Sequence, residues 1–111
     1  MAYSDFCPYF QEAIELIGRR WSGAITRALL DGPRRFSELT RSIPEITDRG
    51  LSQRLKELES EGIVKRTVAA TSPPRVSYGL TDKGIALQGV IDQVEHWAHD
   101  WIMSQDPGKS A

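Results

Sequence analysis

The sequence is poor in cysteine, with Cys7 as the only one among 111 residues. A single thiol excludes an internal disulfide framework and is typical of a reducing compartment, so we expect a cytoplasmic protein. Long apolar runs are also missing, since none approaches the roughly 18 residues that a transmembrane helix needs. The first ten residues lack a basic stretch followed by an apolar one. We therefore expect neither a secretory signal nor a membrane partner.

Catalytic motifs are absent as well. The sequence has no glycine-rich phosphate loop, no nucleophile motif and no specific set of metal ligands. We expect a protein that is not an enzyme and has no cofactor and no metal site. Its length predicts one domain, and its 40% hydrophobic and 26% charged residues are typical of a globular protein. We place the domain at residues 1–103 and expect a disordered tail at residues 104–111.

A large excess of positive charge is also missing, because the net charge is −1. The charge is nevertheless unevenly distributed. Residues 1–18 sum to −3, residues 19–75 to +5 and residues 76–111 to −3. A basic middle between acidic ends suggests a local footprint on a polyanion such as DNA. Chance clustering of the charges is the alternative.

The segment from residue 46 to residue 62 predicts one amphipathic helix. Thr47 is a favourable N-cap, and Gly62 is a favourable terminator because it tolerates a left-handed backbone. Leu51, Leu55 and Leu58 follow one another at spacings of four and three residues, so they line one face of the helix.

The opposite face of this helix is polar. At about 100° per residue it carries Arg49, Ser52, Gln53 and Lys56, mostly in the first two turns, where recognition helices contact base edges. Arginine and lysine match the acceptors of guanine, and glutamine matches adenine. With Thr47 at the helix start, these residues are candidate DNA-binding residues. An ordinary solvated helix face is the alternative.

The apolar spacing before this segment predicts three further helices, over residues 9–17, 21–30 and 36–43. A short turn at residues 44–46 leads from the third of them into the polar-faced helix. A short helix, a turn and a second amphipathic helix form a helix-turn-helix.

The second half of the chain predicts a β-hairpin followed by a helix. Residues 63–69 are rich in β-branched residues, and residues 76–80 alternate apolar with polar. The prolines between them supply no ladder donor, so a loop is expected there. A long helix is expected over residues 82–103. The fold class is therefore α+β, mainly α: a winged helix-turn-helix with a two-stranded β-hairpin wing and extra N- and C-terminal helices.

Eight short stretches between Cys7 and Trp101 occur in a distinctive order. They are residues 7–8 (CP), 18–21 (GRRW), 32–39 (GPRRFSEL), 43–46 (IPEI), 51–59 (LSQRLKELE), 62–64 (GIV), 73–78 (PPRVSY) and 80–84 (LTDKG). In this combination the chain resembles the HxlR family of bacterial winged helix-turn-helix transcriptional regulators. The resemblance implies a homodimer that binds double-stranded operator DNA, with dimer contacts from the first and last helices. It also implies that the protein has no catalytic activity.

The terminal helices carry an apolar stripe that is wider than one small bundle needs. Left in water it would be an association liability, so we predict that it forms a two-fold interface between two copies. The candidate interface residues are Tyr9, Phe10, Ile14, Ile17, Leu87, Ile91, Val94, Trp97 and Trp101. A pocket for a small effector of unknown identity is an alternative use of the aromatic side chains.

Three further arginines are candidate DNA-binding residues. Arg34 and Arg35 precede a predicted helix, where the helix dipole disfavours a cation unless an anion lies nearby, so we predict phosphate contacts. Arg75 follows two prolines in the wing, and a stiff loop with an arginine suits the minor groove. Exposed loop arginines without a partner are the alternative in each case.

Cys7 is a candidate redox sensor. The chain resembles a family in which some members have a cysteine before the first helix. Some of these members respond to oxidants or electrophiles. A cysteine beside a two-fold axis could form an intersubunit disulfide. No basic residue precedes Cys7 closely, so stabilisation of a thiolate is not evident. A small buried apolar residue is the alternative.

Taken together, these features predict a sequence-specific DNA-binding regulator that acts as a homodimer on a palindromic or pseudopalindromic operator. Its response to a small effector or to oxidation is left open. A winged-helix module that binds protein instead of DNA is the alternative, which the acidic ends and the near-neutral charge allow. Salt dependence distinguishes the two, because binding through several phosphates weakens steeply as salt rises.

Overall fold

The computed structural model describes residues 5–106 and 108. In chain order the elements are α1 (Pro8–Ile17), α2 (Ser22–Leu29), α3 (Phe36–Ser42), α4 (Asp48–Ser60), β1 (Val64–Ala69), β2 (Arg75–Leu80), α5 (Asp82–Ile85) and α6 (Gln88–Trp101). This order of helices around a two-stranded antiparallel hairpin confirms the predicted fold class. Within the described ranges, no helix combines the length and the apolar character needed to span a membrane.

The core lies where α2, α3 and α4 meet the base of the hairpin. All three helices are amphipathic and bury one apolar face, as their spacing predicts. The buried cluster contains Ile25, Leu29, Leu39, Ile43, Leu51, Leu55, Leu58, Ile63, Val64 and Leu80. Because both helices of the helix-turn-helix contribute leucines to this cluster, the outer face of α4 is held in a fixed orientation.

The turn between α3 and α4 is short and depends on local backbone chemistry. Ile43 ends α3 and is buried, and Glu45 adopts a left-handed φ of 70°. Thr47 then caps α4, because its side-chain oxygen accepts a hydrogen bond from the backbone N–H of Gly50 at 3.0 Å. Gly62, with φ of 75°, follows the end of α4 in the left-handed conformation that the sequence predicts for it.

The hairpin confirms the predicted wing to within one residue at its ends. Val64 pairs with Leu80 and Ala69 pairs with Arg75, and the five-residue loop at 70–74 joins the strands. An additional bridge links the backbone of Arg34 to that of Tyr78 through two hydrogen bonds of 2.8 Å. The wing is thereby anchored to the segment just before α3.

The second helix begins one residue later than the spacing predicts. Trp21 is the N-cap of α2 and adopts a left-handed φ of 74°, which is unfavourable for a bulky residue. Its indole packs against the core, and the Arg20 guanidinium lies 4.9 Å from the centre of its ring. Burial of the indole outweighs the local backbone preference.

The long helix expected over residues 82–103 is interrupted, and that prediction was wrong. Thr81 caps α5 as a helix start, but the chain turns at residues 86–87 before α6 begins at Gln88. The N–H of Leu87 bonds to the carbonyl of Gly84 at 3.0 Å, three residues back, which tightens the chain at this point. The turn allows Leu87 to pack against the core.

The last helix ends two residues before the expected limit at residue 103. Helix α6 ends at Trp101, and a 3₁₀ turn, Met103–Gln105, includes the first residues of the segment that was expected to be a disordered tail. Residues 107 and 109–111 of that segment lie outside the described residues.

Candidate nucleic-acid interface

The outer face of α4 carries the predicted polar side chains. Arg49, Gln53 and Lys56 are exposed, and Ser52 is partly buried. Together with Glu57 they line one shallow depression on the surface. The three leucines on the opposite side are almost completely buried. The helix therefore presents one continuous polar face of hydrogen-bond donors and acceptors to the outside.

Glu57 is the acidic member of this depression, and two arginines neutralise it. Its Oε2 accepts a hydrogen bond from Nη1 of Arg54 at 2.6 Å and one from Nη1 of Arg19 at 3.3 Å. The hydrogen bond from Arg54 is the largest cause that holds the pKa of the Glu57 carboxyl below its usual value. Glu57 is thus an ionised carboxylate at neutral pH, but its charge is compensated.

The two arginines before α3 differ in their surroundings. The Nε of Arg34 donates to the carbonyl of Ala28 at 2.9 Å, and its guanidinium lies 3.9 Å from Asp31. Arg34 is therefore engaged within its own chain, which does not support the phosphate contact predicted for it. Arg35 is exposed, and its side chain makes no ion pair with any described residue. Its backbone N–H donates to Glu38 Oε1 at 3.0 Å, which helps to start α3.

The wing presents more positive charge than the prediction included. Arg75 is exposed at the first position of β2. Lys65 and Arg66 on β1 are exposed too, and neither belongs to the candidate set chosen from the sequence. Their signal was present as two adjacent basic residues in a predicted strand. The sequence did not separate them from ordinary strand residues, because the exposure of five of the six β1 residues follows from the fold.

Both ends of the chain expose large apolar side chains. Helix α1 has no fully buried residue, and Tyr9 on it is 81% exposed. On α6, Trp97 is 59% and Trp101 is 60% exposed. Among the described residues of the two ends, the large exposed apolar side chains are Phe6, Tyr9, Phe10, Ile14, Val90, Val94, Trp97, Trp101 and Ile102. Phe6, Val90 and Ile102 were not among the predicted interface residues.

Three of the predicted interface residues contact other parts of their own chain. Ile17, Leu87 and Ile91 line one small internal pocket together with Leu58 and Ile63. Ile91 is only 8% exposed. Leu87 packs against the core and Ile91 is buried, which was not predicted because helical periodicity alone does not tell which of two neighbouring stripes faces inward.

Cys7 is the N-cap of α1 and is partly buried. Its Sγ accepts a weak hydrogen bond from the backbone N–H of Phe10 at 3.4 Å. The side chain lies close in sequence to the exposed aromatic residues of α1 and is not enclosed in the core.

Comparison with known proteins identifies relatives over almost the whole chain. The profile of the HxlR-like helix-turn-helix family matches residues 16–106. The uncharacterized HTH-type transcriptional regulator YvaP of Bacillus subtilis (strain 168) is 45% identical over 92% of this chain and 94% of its own length. The HTH-type transcriptional regulator YodB of the same organism is 48% identical over 95% of this chain and 91% of its own length.

Solved structures agree with these matches. The reduced form of YodB is 44% identical and superposes with a TM-score of 0.81, covering 91% of this chain and 99% of that one. YodB has also been solved after diamide treatment and with quinone bound. The redox regulator HypR in its oxidized form is 38% identical, with a TM-score of 0.79 over 85% of this chain and 96% of that one.

Proposed function

This chain belongs to the HxlR-like helix-turn-helix family of transcriptional regulators, and we propose that it binds operator DNA as a homodimer whose activity responds to oxidation. It is a DNA-binding regulator, as its relatives are. The proposal adds which residues contact DNA, how two copies assemble and where the signal is received. In this proposal the protein acts by binding and has no catalytic activity.

The observation that carries the proposal is the outer face of α4. Helix α4 is the second helix of the helix-turn-helix. Its leucines fix it on the core, while Arg49 and Gln53 project from its first turns. An arginine and a glutamine there suit guanine and adenine edges in the major groove. We assign base contacts to these two residues, and supporting contacts to Thr47, Ser52 and Lys56.

Phosphate contacts are assigned to exposed cations on either side of α4. Arg35 lies at the start of α3, where its guanidinium has no competing ion pair among the described residues. Arg75 lies at the tip-proximal end of β2, and Lys65 and Arg66 lie on β1. Contacts of this kind position the protein on the duplex without reading sequence. Arg34 is left out because its guanidinium already binds Ala28 and Asp31.

The exposed aromatic residues of the terminal helices support a homodimer. The radius of gyration is 16.1 Å, against about 13 Å for a compact domain of this length, so the single chain is extended. Burying Trp97, Trp101 and Tyr9 against a second copy would remove a large apolar surface from water. The acidic ends then lie at the interface, and the basic middle remains free for DNA.

In this proposal Cys7 is the residue that is oxidised. It is the only thiol, it caps α1, and α1 carries exposed aromatic residues of the proposed interface. YodB has been solved after diamide treatment and with quinone bound, and HypR has been solved in an oxidized form. A change at the start of α1 would alter the interface and with it the spacing of the two α4 helices.

Selection of bound fragments from the source genome tests the proposed function as a whole. The recovered site should be palindromic, with half-sites about one helical turn apart, and affinity should fall steeply between low and moderate salt. Arg27→Ala, which removes a cation of α2 outside the proposed contact set, serves as the control and should leave the salt dependence unchanged. Recovery of no common site, with binding that is independent of salt, would contradict the proposal and favour a protein partner.

A further inference from the structure

We propose that Arg19 is a positioning residue for DNA binding, which holds and neutralises Glu57 at the edge of the DNA-reading face without touching DNA itself. The inference rests on the proposed function of α4. It concerns a residue that lies outside the helix-turn-helix, in the segment between α1 and α2. The contact joins two parts of the chain that are 38 residues apart in sequence.

The geometry places two arginines on a single carboxylate oxygen. Arg54 lies on α4 itself, three residues before Glu57, and its side chain is only 19% exposed. Arg19 reaches the same Oε2 from outside the helix at 3.3 Å, and its side chain is 47% exposed. Arg54 is thus fixed within the fold, whereas Arg19 is the partner that approaches from the solvent side.

The charge of Glu57 matters because of where it lies. It shares the surface depression with Arg49, Gln53 and Lys56, the side chains assigned to DNA. A carboxylate at this edge would repel phosphates of a bound duplex. With both arginines in place the carboxylate oxygen Oε2 accepts from two guanidinium donors, whereas loss of Arg19 removes one of the two donors that hold and screen the carboxylate.

Two other roles for Arg19 make different predictions. If Arg19 contacts a phosphate directly, its removal weakens binding whether or not Glu57 is charged. If it only stabilises the fold, its removal lowers the unfolding temperature and leaves DNA affinity of the folded protein unchanged. A double-mutant cycle between Arg19 and Glu57 separates all three roles.

The experiment compares the native protein with Arg19→Ala, Glu57→Gln and the double variant on a labelled duplex recovered by genomic selection. We expect Arg19→Ala to weaken binding about threefold to tenfold at low salt, and less as salt screens the charges. Glu57→Gln should bind at least as tightly as the native protein. In the Glu57→Gln background, Arg19→Ala should change affinity less than about twofold, because the charge through which Arg19 acts is gone.

Two controls complete the design. Arg19→Lys should restore most of the affinity, since it keeps the charge. The guanidinium of Arg20 lies over Trp21, so the effect of Arg20→Ala on affinity should be the same with Glu57 and with Gln at position 57. An equal loss from Arg19→Ala in both backgrounds would overturn the inference in favour of a direct phosphate contact. No loss in the native background would overturn it as well. Arg49→Ala distinguishes a failure of the Arg19 proposal from a failure of the proposed function of α4. If Arg49→Ala also leaves affinity unchanged, the assignment of α4 to DNA is wrong.

Discussion

At the scale of single residues, the surroundings of a side chain decide what it does. Arg34 and Arg35 are adjacent and chemically identical, yet the first binds the end of α2 and the second is exposed. Both arginines precede a predicted helix in the sequence, so the same phosphate contact is predicted for both. The sequence could not separate them, because the partner of Arg34 is a backbone carbonyl that only the folded chain brings within 2.9 Å.

This difference predicts opposite effects of two neighbouring substitutions. Arg35→Ala should weaken binding to every DNA sequence and lower the slope of log affinity against log salt by about one, because one phosphate contact is lost. Arg34→Ala should instead lower the free energy of unfolding by about 1.5 kcal/mol, through loss of a hydrogen bond from a charged donor. Binding titrations at several salt concentrations and urea unfolding measure the two effects. An unchanged salt slope for Arg35→Ala would remove it from the contact set.

Base readout is the second prediction at this scale. Arg49→Ala and Gln53→Ala should each cost about 1–3 kcal/mol on the preferred site and relax the preference at particular base positions. Competition with singly substituted duplexes measures this. Arg75→Ala in the wing is the comparison, since loss of its proposed phosphate contact would weaken all duplexes alike. If Arg49→Ala and Gln53→Ala also weaken every duplex equally, the base contacts are wrongly assigned.

Cys7 provides the third prediction. Mild oxidation with diamide should change the operator affinity of the native protein, and Cys7→Ser should abolish the response, because no other thiol exists in the chain. Titration of the duplex before and after treatment is the measurement. Equal responses of the two proteins would leave Cys7 with a packing role.

At the scale of helices and strands, local chemistry predicted more than long-range packing did. The start of α4 at Thr47 and its end near Gly62 follow from capping preferences, which depend on neighbouring residues only. The break between α5 and α6 was missed because Leu87 leaves the helix to reach the core, a contact with distant residues. The pairing of Arg19 with Glu57 was missed for the same reason.

The junction of α5 with the wing gives a prediction for stability. A Cβ at Gly84 would lie 2.3 Å from the backbone oxygen of Ile63, so Gly84→Ala should destabilise the protein by about 1–3 kcal/mol. The same substitution at Gly89, where the added Cβ would meet open space, should leave stability unchanged or raise it by up to about 1 kcal/mol. Thermal unfolding of both variants measures the contrast. Equal midpoints would mean that the chain packs differently at Gly84.

At the scale of the whole molecule, the exposed aromatic residues lie at the two ends of the chain and the cations in the middle. The apolar stripe of the terminal helices was predictable from spacing, and most of its residues are exposed as expected. Its inner edge was not predictable, since Ile91 is buried in its own chain. A charge at Ile91 would therefore disturb the fold, and Trp101 is the cleaner site at which to test assembly.

The most direct test is the mass of the complex between the protein and its selected duplex, measured by native mass spectrometry for the native protein, Trp101→Glu and Ile85→Glu. Ile85 is an exposed apolar residue of α5 outside the proposed interface, so the native protein and Ile85→Glu should both form dimers. We predict two native chains on each palindromic duplex. Trp101→Glu should be monomeric at micromolar concentration and bind the duplex far more weakly. Tight binding of a single native chain per duplex, or an unaffected dimer in Trp101→Glu, would contradict a regulator that reads DNA as a dimer joined by its terminal helices.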